Sequence, residues 1–260
     1  MDRKAAMSAR AISELEAGTR SPEAVDVFFA THTFPIVDGP AITFVFRGDA
    51  EAVHLKHWVY GLPSSQSLAR VGGTNVWHLT LQLPPGSRVE YKLEVVRGGH
   101  GEWIEDPINP SRARDPFGAN SVAHGTGYAV PAWIHPDSSA EPGRLDELTI
   151  DSRVFGRRSF GLYLPARFRR TRRYPLLVVH DGHDYLRYAS LGTILDNLIS
   201  RLEIPDMVVV LTTSPDRLRE YASDERHSRF LTEELVPHVE RLFPLDEEPQ
   251  SRCLLGASFG

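Results

Sequence analysis

The ten residues SRCLLGASFG, 251–260, decide how the carboxyl half of this sequence is read. Cys253-Leu254-Leu255 is a short apolar run of the kind that forms a buried strand. It feeds Gly256-Ala257-Ser258-Phe259-Gly260, a complete G-x-S-x-G. A serine hydroxyl is a weak nucleophile until a neighbouring base takes its proton. In this motif the serine sits where a strand turns sharply into a helix, and Gly256 and Gly260 let backbone pass close to backbone there. The N–H of the next residue, Phe259, then helps hold the oxyanion formed when the serine attacks a carbonyl. Ser258 is the candidate nucleophile. The rest of the chain must supply a fold to carry it and the groups that serve it.

Working back from the pentapeptide, strands and helices alternate. LDELTID (145–151) and RSFGLYLP (158–165) read as a pair of strands, and YPLLVVHDG (174–182) as a strand buried on both faces. LGTILDNLISRL (191–202) has helical spacing, with Leu191, Ile194, Leu195, Leu198 and Ile199 on one side. DMVVVLTTS (206–214) is another buried strand. SRFLTEELVPHVERLF (228–243) is an amphipathic helix, with Pro237 inside it marking a kink or break. This order predicts a doubly wound, mostly parallel sheet over residues 145–260.

The first half keeps a different period. AITFVFRG (41–48), AVHLKHWVYG (52–61), VWHLTLQLP (76–84) and RVEYKLEVVRG (88–98) alternate in steps of two, with glycine and proline turns between them. Strands so spaced, without helices between, predict an immunoglobulin-like β-sandwich over residues 25–134. DPINPSRARDPFGANSV (106–122) breaks the alternation and reads as a fixed irregular crossing. Alternation places Trp77 with Leu79 and Leu81 on the core face, so packing is the expected role of the tryptophans in this half, Trp58 and Trp103 included; sugar stacking is the alternative. Residues 1–24 read as a short helix, with Ala5, Met7, Ile12 and Leu15 on one side and an end near Gly18. HPDSSAEPGR (135–144) reads as a linker.

Composition narrows the function classes. Hydrophobic residues make up 41% and charged residues 24%, ordinary for a globular protein. A net charge of −5 argues against nucleic acid or an anionic membrane as partner. No stretch has the ~20 apolar residues of a membrane span, and the first twenty residues lack the apolar core of a signal peptide, which predicts a cytoplasmic protein. The one cysteine, Cys253, excludes an internal disulfide and reads as a buried thiol. RFRRTRR (167–173) reads as a solvated connector.

HDGHD (180–184) contains two histidines and two aspartates, but its spacing fits no common metal site; no metal and no cofactor are expected. A loop at the carboxyl end of a central parallel strand is instead where a second oxyanion amide belongs. Gly182 permits its turn and His183 N–H would point at the developing charge.

Three segments, YPLLVVHDGHDYL, RLREY (217–221) ahead of FLTEELVPHVE, and LLGASFG, give the second half a resemblance to the esterase branch of the α/β hydrolases. EYKLEV and DPINPSRARDPFGANSV make the first half similar to the sandwich that precedes the hydrolase in enterochelin esterase-like proteins. The resemblance implies Ser258 as nucleophile, amides of Phe259 and His183 as oxyanion donors, and Asp181 orienting the loop or touching substrate. It matches Arg217 and Glu220 to a charged pair near the site, with a plain surface ion pair as the competing reading. It implies a small-molecule ester as substrate, with siderophore triesters favoured and sugar esters or acyl transfer next. The order Ser, then Asp or Glu, then His in such hydrolases places two triad members beyond Gly260. The chain is therefore expected to be the front of a longer esterase, inactive alone, with its last strand an exposed edge open to self-association. The alternative is a carbohydrate-binding sandwich joined to a catalytically dead hydrolase half.

Overall fold

A computed structural model describes residues 5–18 and 21–260, without side-chain detail for 5–10. Contacts divide the chain into two units, residues 1–129 and 130–260.

The first unit opens with α1 (Ala5–Ala17) and α2 (Pro22–Thr31). Ile12 and Leu15 of α1 are buried as the spacing predicts, while the side chains of Ala5 and Met7 lie outside the described residues. Helix α2 corrects the reading of 25–31 as the start of the strand pattern. Its signal is Ser21-Pro22: the Ser21 hydroxyl accepts from Ala24 N–H at 3.3 Å, with proline at the helix start.

Strands β1 (Ile36–Asp38), β2 (Ala41–Arg47), β3 (Ala52–His57), β4 (Ser65–Ser67), β5 (Ala69–Arg70), β6 (Val76–Gln82), β7 (Arg88–Arg97), β8 (His100–Ile104), β9 (Arg112–Asp115) and β10 (Gly118–His124) follow. They form two sheets, β1-β2-β6-β5 and β4-β3-β7-β10-β9, with β8 also paired to β7. Every pairing in both is antiparallel. Ile42, Phe44 and Trp77 of one sheet share a core with Leu55, Tyr91 and Leu93 of the other. β2 is buried on both faces, because Val45 packs with Ile12, Leu15 and Phe28 of the helices.

The irregular crossing is confined to the start of 106–122, since β9 and β10 form a hairpin in the rest. Its fixing is polar. Tyr91 O–H donates to Asp106 Oδ2 at 2.5 Å, Asp106 N–H donates to Ser121 Oγ at 2.7 Å, and Asn109 Nδ2 donates to Tyr91 Oη and the Val122 carbonyl. These groups are buried and satisfied, so the segment is structural.

The second unit has β11 (Arg144–Ser152), β12 (Gly156–Leu164), β13 (Leu176–Val179), α3 (Gly182–Ala189), α4 (Leu191–Ser200), β14 (Val208–Leu211), α5 (Arg217–Glu220), α6 (Glu225–Arg229), a π-helical stretch Phe230–Leu235, α7 (Val236–Leu242) and β15 (Arg252–Leu255). The sheet order is β11-β12-β14-β13-β15. β14, β13 and β15 are parallel, whereas β11 and β12 form an antiparallel hairpin that also joins β14 antiparallel. The expected mostly parallel sheet is thus mixed, because a tight hairpin reverses direction and only a helical crossover restores it.

Alternation along the inner strands assigns the faces. Val178, Val208 and Val210 pack with Phe230, Leu235 and Val239, while Val179, Val209 and Leu211 pack with Leu191 and Leu195. Helices therefore cover both faces. Pro237 stands in the first turn of α7, directly after the π-helical stretch; a proline N cannot donate to the carbonyl one turn back, and the ladder changes register there. Residues 135–144 are tied down rather than free. Asn197 Nδ2 donates to the carbonyls of Trp133 and His135, Arg201 pairs with Asp137, and Gly143 N–H donates to Asp196.

The arginines of 167–173 include ones bound locally, Arg170 to the Leu242 carbonyl, Arg172 to Asp206 and Arg173 to Glu247. Strand β15 corrects the expectation of a buried strand and a buried thiol: it is outermost in the sheet order, Cys253 is exposed and Leu254 is 68% exposed. Its apolar run resembles that of the central strands, and only the sheet order distinguishes them.

Candidate active site

Chain direction makes β13 the switch point of the sheet. From it the chain crosses to β14 on one side and then to β15 on the other, which opens a crevice at the strands' carboxyl ends. Hydrogen bonds tie those ends into one shelf. His180 N–H donates to the Leu255 carbonyl at 2.9 Å, Thr212 N–H to Val179 at 2.8 Å, and Gly182 N–H to Thr212 at 2.9 Å.

Both turns on this shelf are sharp. Ser258 has φ 60° and Asp181 φ 52°, the left-handed region that costs a non-glycine residue about 1–2 kcal/mol. Gly256 is required by contact: a Cβ there would lie 2.1 Å from the Gly260 carbonyl carbon. Gly182 is required in the same way, its added Cβ falling 2.6 Å from Leu211 Cα. A Cβ on Gly260 would sit 3.2 Å from His180 Cβ and 3.3 Å from Asp181 Oδ2. The serine turn and the Asp-Gly corner are therefore packed against each other.

Asp181 Oδ2 accepts from Arg217 Nη2 at 2.8 Å and Nε at 3.2 Å, which joins the corner to α5. In α3 the Asp184 and Tyr185 N–H groups donate to the Asp181 carbonyl; among the described residues, no carbonyl accepts from the His183 N–H between the corner and these. The His183 side chain turns away, with Nε2 2.5 Å from Glu147 Oε1, and both groups are exposed. Among the described residues no imidazole hydrogen-bonds Ser258, and none form a cluster of three or more His, Cys, Asp or Glu able to hold a metal.

The expected Arg217–Glu220 pair is not made. One helical turn separates the two residues, yet Arg217 reaches Asp181 while Glu220 accepts from Arg158 Nη2 at 2.6 Å and from Ser214 Oγ at 2.6 Å. Glu220 is buried, so this is no surface pair. Reading the sequence also missed an aromatic cluster under the shelf. The His180 ring lies 4.8 Å from Tyr221 and 5.1 Å from His227, and burial lowers the pKa of both histidines. Nothing in linear spacing links residues 180 and 227.

A mixed sheet with helices on both faces, and a strained serine turn at its switch point, defines the α/β-hydrolase class. Residues 152–260 match the model of the family described as Putative esterase. The chain is 25% identical over 232 residues to the iron(III) enterobactin esterase of Escherichia coli K12, covering 75% of this chain and 54% of that protein. The uncharacterized protein YjcH of Bacillus subtilis is 28% identical over 106 residues, 38% of this chain and 44% of its own. Among solved structures, the ferric enterobactin esterase of Salmonella typhimurium superposes with a TM-score of 0.65 at 20% identity, covering 84% of this chain and 65% of that one. The Shigella flexneri enterobactin esterase, crystallised in the presence of enterobactin, gives 0.61 at 22% identity over 84% and 64%. Those two likenesses are of fold. The chain spans about half the length of the curated enterobactin esterase it matches.

Proposed function

We propose that Ser258 is the nucleophile of a carboxylic ester hydrolase, and that the first unit is an immunoglobulin-like sandwich. The observation that carries the enzymatic reading is the left-handed Ser258 turn packed on the Asp181-Gly182 corner at adjacent parallel strand ends. In this reading Ser258 Oγ attacks the ester carbonyl as its proton passes to a base. The amides of Phe259 and His183 hold the oxyanion, the alcohol leaves with a proton, and water releases the acyl group. Gly182 and Gly256 admit the close backbone approaches that aim those amides. Asp181, held by Arg217, positions the corner and acts through the His183 amide.

Siderophore esters are the favoured substrate class, supported by the relatives named for iron(III) enterobactin. The fold alone does not choose a substrate, so the test uses both a probe and an ester. The protein, expressed from its own gene, is expected to be labelled by a fluorophosphonate at Ser258 and to release 2,3-dihydroxybenzoylserine from enterobactin. Ser258→Ala should abolish both. An unlabelled Ser258, or hydrolysis that survives Ser258→Ala, overturns the reading.

A further inference from the structure

One face of the first unit carries aromatic side chains that its core does not use. Along β3, Val53, Leu55 and His57 point inward, so His54 and Lys56 face outward, and Trp58 follows just past the strand end. Register places Ser65 of β4 and Lys92 of β7 opposite Lys56, and Trp103 of β8 opposite Glu94. The outcome is a polar strip with two indoles beside it. Trp58 is 74% exposed, Trp103 50%, and Tyr60 fully exposed, whereas Trp77 fills the core position expected of a sandwich tryptophan.

The strip is built rather than loose. Lys56 Nζ lies 2.7 Å from Glu94 Oε2, donates to Ser65 Oγ at 2.9 Å, and stands 5.3 Å from the centre of the Trp103 ring. Trp103 Nε1 donates to Glu94 Oε1 at 3.1 Å, which fixes that indole on its strand. Trp58 meets it at 62°, with centroids 6.5 Å apart, so the two rings form a corner open to water. Exposed aromatic surface with satisfied polar neighbours marks an interaction site, and a ring already held in place loses little freedom on binding.

The chemistry of the strip selects its ligand. Flat apolar ring faces flanked by hydroxyl, ammonium and carboxylate groups complement a pyranose, which has an apolar C–H face and a rim of hydroxyls. Lys56 and Glu94 neutralise each other, and the chain is acidic overall, so a polyanion such as nucleic acid is disfavoured. We infer that Trp58 and Trp103, with Lys56, Lys92 and Glu94 beside them, bind a neutral oligosaccharide. This site is independent of the chemistry at Ser258.

The test is titration of the full chain with maltohexaose, cellohexaose, xylohexaose and chitohexaose, followed by tryptophan fluorescence and calorimetry. At least one sugar is expected to bind at millimolar concentration or below. Trp58→Ala and Trp103→Ala should each weaken it about ten-fold or more, since each removes one stacking face. Phe117→Ala, which removes an exposed ring on the β9–β10 turn, should leave binding unchanged. Trp58 is mostly in water, so its variant carries the test if Trp103→Ala does not fold. Failure of all four sugars to bind, full affinity in Trp58→Ala, or tighter binding of an oligouridylate overturns the inference.

Discussion

Ser258 and Asp181 hold left-handed backbone where neither residue is glycine, and such strain persists only when surrounding contacts impose it. At Ser258 the imposing contact is the Gly256–Gly260 approach, which a straighter turn would open. Ser258→Gly should therefore raise stability by about 0.5–1 kcal/mol, the left-handed penalty less glycine's greater unfolded freedom. Ser258→Ala should give no such gain, and both should lose fluorophosphonate labelling; urea melts of the three proteins check this. Gly182 behaves oppositely. An alanine there meets Leu211 backbone, which cannot yield without moving β14. The expected loss is about 1–3 kcal/mol, read from the same melts. Both glycines were legible in the sequence as turn formers. The atoms that make them obligatory belong to residues brought close by the fold.

Between elements, the Arg158–Glu220 pair joins β12 to α5 with little water access, and α5 also presents Arg217 to Asp181. Arg158→Met leaves the Glu220 carboxylate without its cationic partner and should cost about 3 kcal/mol, the lower end for buried pairs because the guanidinium keeps some solvent contact. Adding Glu220→Gln should recover much of that loss, as a double-mutant thermal melt would show. The sequence marked Arg217 and Glu220 as charges of interest through their place in RLREY. It could not assign their partners, because a four-residue helix at the crevice points its side chains to different elements. A similar limit explains β15. Cys253-Leu254-Leu255 has the apolarity of a central strand, yet sheet order leaves it at the edge.

Across the whole molecule, burial pushes the pKa of His57, His180 and His227 below the ordinary histidine value. His227 also feels the proton-repelling His180 and Arg158, against the opposite pull of Glu220 and Asp224. A histidine held neutral when folded contributes stability that is complete above the unfolded pKa of about 6.5 and is lost as pH falls below it. The melting temperature should therefore be level above neutrality and drop from about pH 6.5 toward 5. Asp137 and Asp224, pushed down to about 2 by hydrogen bonds from Ser139 and Arg226 respectively, stay ionised through that window. Their loss comes only in stronger acid. His227→Phe should flatten the slope between pH 6.5 and 5, measured by scanning fluorimetry across buffers.

By itself the sequence determined the two rhythms, period two in the first half and strand–helix alternation in the second. It also determined the pentapeptide and the Asp-Gly loop on which the resemblance of the second half rests. These are local properties, written in the spacing of apolar residues and in glycines where only glycine turns freely. Only the tertiary structure decided that β13 lies between β14 and β15, so that the serine turn and the loop meet. It alone placed Arg217 on Asp181, Arg158 on Glu220, and Trp58 and Trp103 in water rather than in the core. Such pairings depend on which strand ends become neighbours, and that choice is made by burying two sheet faces at once.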